Sequence, residues 1–344
     1  MKRIILLAAS AMAILAGCTR TEIRSIADEP QQITFRTIET KATVDFLKGN
    51  KFYSYAWFLP SGNKWATNYA AAQAYIPGAL IAYNPTDKAW KAKGATYYWP
   101  KQGSLTFFAW TDNTGDPMQT LAGCEKGKGI TFTAYSAFDN QNKDLLVADI
   151  AQDMNGQNLT THQGWKPGVP TVFHHVLSSL AFTIKTNEDY SAGATYSLKS
   201  IKLKHISTKG DYAQGSPAAT AVENVWTDYG DVKVMPVFTS DAGQSVSSTV
   251  AGLTPSADDF SIVLPQKFAD ATPEIEIVYT ITTNYTGTDV VETVTESKPL
   301  KDIYTEGWVP GKKYTLNIKL SLNEILWDPS VEDWENGTVT DIPF

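Results

Sequence analysis

Apolar residues recur at every second position over long stretches of this chain, the spacing that puts them on one face of a β-strand and polar residues on the other. Near the C-terminus Tyr314, Leu316, Ile318, Leu320 and Leu322 alternate without a break. A helix, with its period of about 3.6, cannot bury such a set on one side. The same alternation returns at Leu180, Phe182 and Ile184, at Ile201 and Leu203, at Phe260, Ile262 and Leu264, and at Ile275, Ile277, Tyr279 and Ile281. Between these runs lie DNTGDP, KGKG and TPSADD, clusters of residues that favour tight turns. Short strands separated by turns predict a mainly β fold of antiparallel β-sandwiches. Only residues 68–74 (NYAAAQA) have the alanine content of a helix, and that segment is barely two turns long. The alternation is interrupted at residues 162–170 (HQGWKPGVP) and resumes at Val172. The predicted division is therefore an N-terminal β-sandwich domain over residues 31–168 and a C-terminal one over residues 169–344.

The first residues follow a different rule. Lys2 and Arg3 precede an apolar stretch broken only by Ser10, which closes on Leu15-Ala16-Gly17-Cys18. Residues 1–17 thus read as a secretory signal peptide and Cys18 as the thiol that receives lipid. As a helix the apolar run would reach about 20 Å, short of the roughly 30 Å hydrocarbon core, so a membrane span is a poor reading. A lipidated Cys18 would instead attach the chain to a membrane through its acyl chains. Leu121-Ala122-Gly123-Cys124 repeats the tetrapeptide with no apolar run before it, so context carries the signal. Residues 18–30 are polar, charged and without sustained period, and are expected to form a lipidated flexible tether.

Composition narrows the function. A length of 344 residues suits two domains. Loss of Lys2 and Arg3 with the signal takes the formal charge from -7 to -9, which disfavours nucleic acid as a partner. With Cys18 committed to lipid, Cys124 has no partner for an intramolecular disulfide. Stability must come from burial, for which 43% hydrophobic and 12% aromatic residues are ample.

Catalytic chemistry finds little purchase. The four histidines are His162, His174, His175 and His205, with no H-E-x-x-H among them. If His174 and His175 lie in a strand they face opposite sides and do not share a metal, and one of them should be core-facing and hydrogen-bonded. There is no G-x-S-x-G, no Walker loop and no G-x-G-x-x-G, and KGKG lacks the helix that would cradle phosphate. Asp258-Asp259 and Glu332-Asp333 read as solvated surface carboxylates, and DNQNKDLLVAD lacks the ligand spacing of a calcium loop. The expectation is a protein that is not an enzyme and uses neither metal nor cofactor. Of the ten tryptophans, Trp57, Trp99 and Trp110 sit in strand-like runs and should be buried or half-buried. Trp65 and Trp90 have polar, loop-like neighbours and are the candidates for an exposed aromatic platform that could stack on a glycan.

Several segments, in order, resemble the fimbrillin family of bacterial lipoproteins. They are ITFRTIETKAT (33–43), YYWPKQGSLTFFAW (97–110), DLLVA (144–148), VPTVFHHVLSSLAFTIK (169–185), IVLPQ (262–266) and the closing stretch 307–334. The resemblance implies two tandem transthyretin-like sandwiches, transit to the outer membrane on a lipid anchor, and a place in a cell-surface fimbrium. It implies strand exchange with other pilus subunits after a trypsin-like protease cuts beside the first strand. Arg36 is the expected cleavage position, with Arg24 and Arg20 as alternatives and Lys41 standing where similar sequences carry Arg. The opening strand is then expected at a sheet edge, where removal leaves an open template. The tail GTVTDIPF, with Val339, Ile342 and Phe344 as its apolar residues, is the candidate donor strand. The adhesion target would be a host protein or a glycan. The alternative is a stand-alone glycan-binding lipoprotein of the outer-membrane surface.

Overall fold

The computed structural model describes residues 30–37, 49–157, 168–186, 194–216, 218, 223–256, 258–270, 272–320 and 325–334. Its first strands are β1 (Phe35–Thr37), β2 (Phe52–Leu59), β3 (Gln73–Asn84), β4 (Ala89–Ala92) and β5 (Ser104–Thr111). There follow β6 (Gly123–Glu125), β7 (Gly129–Ser136), β8 (Leu146–Ala148), β9 (Ala151–Met154), β10 (Val169–Thr171) and β11 (Phe173–His175). The remainder comprises β12 (Ser178–Thr186), β13 (Ala194–Ala213), β14 (Val225–Val246), β15 (Ala251–Gly252) and β16 (Ile262–Val263). The chain ends with β17 (Glu274–Tyr285), β18 (Thr288–Pro299), β19 (Lys312–Leu320) and β20 (Ile325–Asp333). The mainly β expectation holds. The helix expected over residues 68–74 is displaced: α1 spans Trp65–Asn68, a 3-10 turn covers Tyr69–Ala71, and β3 has begun by Gln73.

Nine strands form one sheet in the order β10-β1-β4-β3-β2-β5-β8-β11, with β9 also on β5. Its two ends, β10 and β11, are separated in the chain only by Val172. Along a strand, main-chain groups of alternate residues point to opposite edges. Val169 N donates to Thr34 O beside β1, whereas Val172 O accepts from Asp149 N and Val176 N donates to Leu145 O beside β8. One strand therefore serves both ends, and the sheet closes into a barrel. Ile33, Phe35, Phe52, Ile81, Trp90, Leu105, Phe107, Leu146 and Phe173 fill its interior.

The second core lies between two further sheets. One is ordered β18-β17-β13-β7-β6, with β14 on the long β13; the other is β15-β12-β19-β20, with β16 on β12. Alternation in the sequence translates directly into packing here: in β12 every second residue from Ser178 to Thr186 is buried. Leu180, Phe182 and Ile184 meet Leu316, Ile318 and Leu320 of β19, and Leu198, Ile201, Leu203, Ile275 and Ile277 of the facing sheet. Two pairings, β1 with β10 and β12 with β19, are parallel, so the fold is not purely antiparallel.

A third core joins the halves. The outer face of the barrel, through Tyr53, Leu59, Trp65, Phe108, Trp110 and Val147, packs on Ile130, Phe132, Tyr135, Tyr212 and Trp226. Strand membership crosses residue 168 in both directions: β6 and β7 join β13, while β10 and β11 complete the barrel. The alternation that resumes at Val172 therefore belongs first to the barrel.

Cys124 is free and half-buried by surface area, and desolvation by the surrounding protein pushes its thiol up to about 12. Near neutral pH a thiol that titrates so high carries the reactive thiolate about a thousandfold less often than an ordinary cysteine does. Iodoacetamide at pH 8 is expected to alkylate Cys124 in the native protein about three orders of magnitude more slowly than in the urea-unfolded chain. Native and unfolded rates within tenfold of each other would show that the thiol is open.

Candidate functional site

The barrel seam is where the resemblance placed the proteolytic switch. β1 is three residues long and aligns Phe35, Arg36 and Thr37 in parallel with Val169, Pro170 and Thr171. On its other side Phe35 is opposite Trp90 of β4, Ile33 N donates to Tyr97 O, and Trp99 N donates to Gln31 O. The opening strand is thus not the edge strand the sequence suggested: it is held on both flanks. The reason is the returning strand 169–175, whose sequence VPTVFHH gives no indication that its start will pair with residues more than a hundred positions earlier.

Side chains lock the same place. Phe35 is buried and meets Phe52 edge-on at 5.7 Å between ring centroids and Phe107 at 5.8 Å. Phe52 in turn meets Phe173 at 5.4 Å and Trp90 at 5.8 Å. Arg36, the expected cleavage position, follows on the opposite face and is half-buried. At Gly168 a Cβ would stand 2.9 Å from the main-chain carbon of Phe35, so glycine permits the returning strand to approach β1.

The aromatic platform is contradicted by burial. Trp65 is 0% exposed, packed edge-on against Phe108 at 5.5 Å, with its main-chain N–H on Asp153 Oδ1. Trp90 is 5% exposed and belongs to the barrel interior. Their polar neighbours are a poor guide because α1 and β4 are each only four residues long, too short to show a period. Trp57 is half-buried, and Trp99 and Trp110 are buried. The surface reading of Asp259 also fails. It is fully buried and its carboxylate accepts from Thr239 N, Thr239 Oγ1 and Ser256 N, fixing a loop against β14. Asp258 is exposed, and Glu332 and Asp333 are exposed partners of Lys313 and Lys312.

The adjacent histidines face opposite sides of β11. His174 Nε2 meets the partly exposed Asp149 at 3.1 Å, whereas the buried His175 meets Asp144 through Nδ1 at 2.8 Å. Burial raises the Asp144 carboxyl above its usual range, partly offset by the bond to His175. Among the described residues no cluster of three or more His, Cys, Asp or Glu side chains is placed to hold a metal. Among those residues, too, no helix is long and apolar enough to cross a membrane. Cys18, Arg20, Arg24, Lys41, Val339, Ile342 and Phe344 lie outside the described residues.

Sheets wrapped around two aromatic-rich cores, joined by a third, define a β protein whose distinctive feature is a seam closed by its first strand. Fimbrillin-like sequences match residues 40–334, and the chain belongs to that family. Its fold is similar to that of a fimbrial protein from Bacteroides vulgatus, at 16% identity and a TM-score of 0.61, covering 88% of this chain and 99% of that one. A candidate cell adhesion protein from Bacteroides uniformis aligns at 17% identity and a TM-score of 0.47, over 88% of this chain and 99% of that one. No curated protein matches the chain significantly.

Proposed function

We propose that this protein is a structural or adhesive subunit of a bacterial cell-surface fimbrium. Membership of the fimbrillin-like family over residues 40–334 carries the reading. Export through the signal at residues 1–17, with lipid on Cys18 and transit by way of the outer membrane, is the proposed route. The glycan-binding alternative loses the paired aromatics that motivated it, because Trp65 and Trp90 are both buried.

For assembly we infer strand exchange at the seam. A trypsin-like protease cuts after Arg36, with Arg24 and Arg20 as alternatives, and another subunit's strand fills the slot between β10 and β4. The tail residues Val339, Ile342 and Phe344 are the proposed donor. In support, β1 is short, aligned with β10 over three residue pairs and with β4 at Phe35–Trp90 alone, so its loss leaves main-chain N–H and C=O groups of its neighbours unpaired. Each large apolar side chain that a donor buries there contributes about 1.5 to 3 kcal/mol before ordering costs. Because β1 is paired on both flanks, the cut at Arg36 waits for local opening of the seam.

The test is proteolysis of the purified full chain with trypsin, followed by N-terminal sequencing and sedimentation. The expected result is a discrete new N-terminus at Thr37 and conversion of monomer to polymer. No discrete cut between Arg20 and Arg36, or a cut chain that unfolds as a monomer, sinks the strand-exchange reading.

A further inference from the structure

The last described residue, Trp334, makes a contact unlike others in its hairpin. Its indole lies flat on the imidazole of His175, with ring centroids 3.9 Å apart and planes 8° from parallel. His175 is buried in β11, the strand that closes the barrel, and its Nδ1 is fixed by Asp144. The main chain of Trp334 is fixed as well, through N–H donation to Gly311 O at 3.0 Å. Gly311 N donates in turn to Leu177 O, and a Cβ at Gly311 would stand 3.1 Å from His175 O. The seat for Trp334 is therefore built from the barrel strand and the turn before β19, not from its own strand.

The rest of β20 is held lightly. It is an edge strand paired with β19 alone, from Lys312 opposite Asp333 to Leu320 opposite Ile325. Only Ile325 and Trp327 contribute partly buried side chains to the sandwich core, both in the first half of the strand. From Asp328 to Asp333 every residue is exposed, with Pro329 and Val331 among them. Lys312–Asp333, Lys313–Glu332 and Lys319–Asp328 align the register, but exposed ion pairs of this kind contribute little. Main-chain pairing at an exposed edge, without buried side chains, belongs to the low-stability end of a protein.

We propose that the stack of Trp334 on His175 is a catch that holds the C-terminal half of β20 on the body and so controls release of the end of the chain. Asp144 positions the imidazole, the flat aromatic contact supplies the attachment, and Gly311 sets the depth of the seat. Residues 335–344 follow Trp334 in the sequence, and under strand exchange they are the segment released with it. The last clause rests on the strand-exchange reading above; the catch itself does not.

Native-state hydrogen exchange of the full chain, read by mass spectrometry on peptides spanning residues 325–334, tests it. Trp334→Ala and His175→Ala are each expected to speed exchange in residues 328–334 by about tenfold or more, leaving β12 and β3 unchanged. Trp334→Phe, which keeps an aromatic ring, should restore most of the protection. Unchanged exchange in both alanine variants overturns the proposal. An equal rise in β20, β12 and β3 also overturns it, since the two rings would then be ordinary core. If β20 exchanges faster but protease-triggered polymerisation is unaltered, the catch stands and strand exchange through the C-terminal segment fails.

Discussion

Phe35→Ala is expected to lower the stability of the folded chain by about 3 to 5 kcal/mol, the range for emptying a buried phenylalanine site. The ring is 4% exposed and contacts Phe52 and Phe107 edge-on inside the barrel. Those neighbours sit on β2 and β5, which pair with each other over seven consecutive residue pairs, so they cannot close in to fill the space. The seam loses more than volume. Phe35 is the residue of β1 that is aligned with both Val169 and Trp90, so its loss weakens closure on each flank. Urea denaturation of the full chain should show a lower midpoint at similar slope. Trypsin should also cut at Arg36 faster, because the seam opens more often. A change below about 1 kcal/mol would mean that β1 is not an integral barrel strand.

Gln214→Leu should cost about 2 to 6 kcal/mol, although leucine is similar in size, because each of two buried main-chain groups left without a partner costs about 1 to 3 kcal/mol. Gln214 is 1% exposed and stands just beyond the end of β13. Its Nε2 donates to Ala148 O in the barrel at 2.8 Å, and its Oε1 accepts from Ile130 N in β7 at 3.1 Å. One amide thus joins the barrel to the six-stranded sheet. The expected readout is a lower midpoint shared by probes in both halves, since the third core makes them unfold together. A shift under about 0.5 kcal/mol, the usual size of a surface substitution, or a shift confined to one half, would show that the bridge is not what couples them.

Much of this architecture is legible in the order of residue types. Alternation at Leu180, Phe182 and Ile184, and at Tyr314, Leu316, Ile318 and Leu320, names the buried face of β12 and β19 correctly. His174 and His175 diverge as neighbours in any strand must, with the core-facing one hydrogen-bonded to Asp144. Trp65, Trp90 and Asp259 depart from expectation for a common reason. Each lies in a short or irregular segment, where local polarity says little about which distant surface will cover it. Gln214 and Trp334 carry no signal at all: a single amide after a strand and a single indole at its end become structural only when remote main chain and a remote ring arrive beside them.

The sequence by itself determined the long alternating strands, such as β12 and β19, and which side of each is apolar, because that information is local and repeats every second residue. It also places a lipobox-like cysteine after a short apolar run, a pattern complete within its own residues. Only the tertiary structure decided that residues 169–175 return to close a barrel, that β1 lies between two neighbours, and that β20 ends on His175. Those choices depend on pairings between residues far apart in the chain. Such pairings are selected by shared burial and main-chain hydrogen bonding, which no local period encodes.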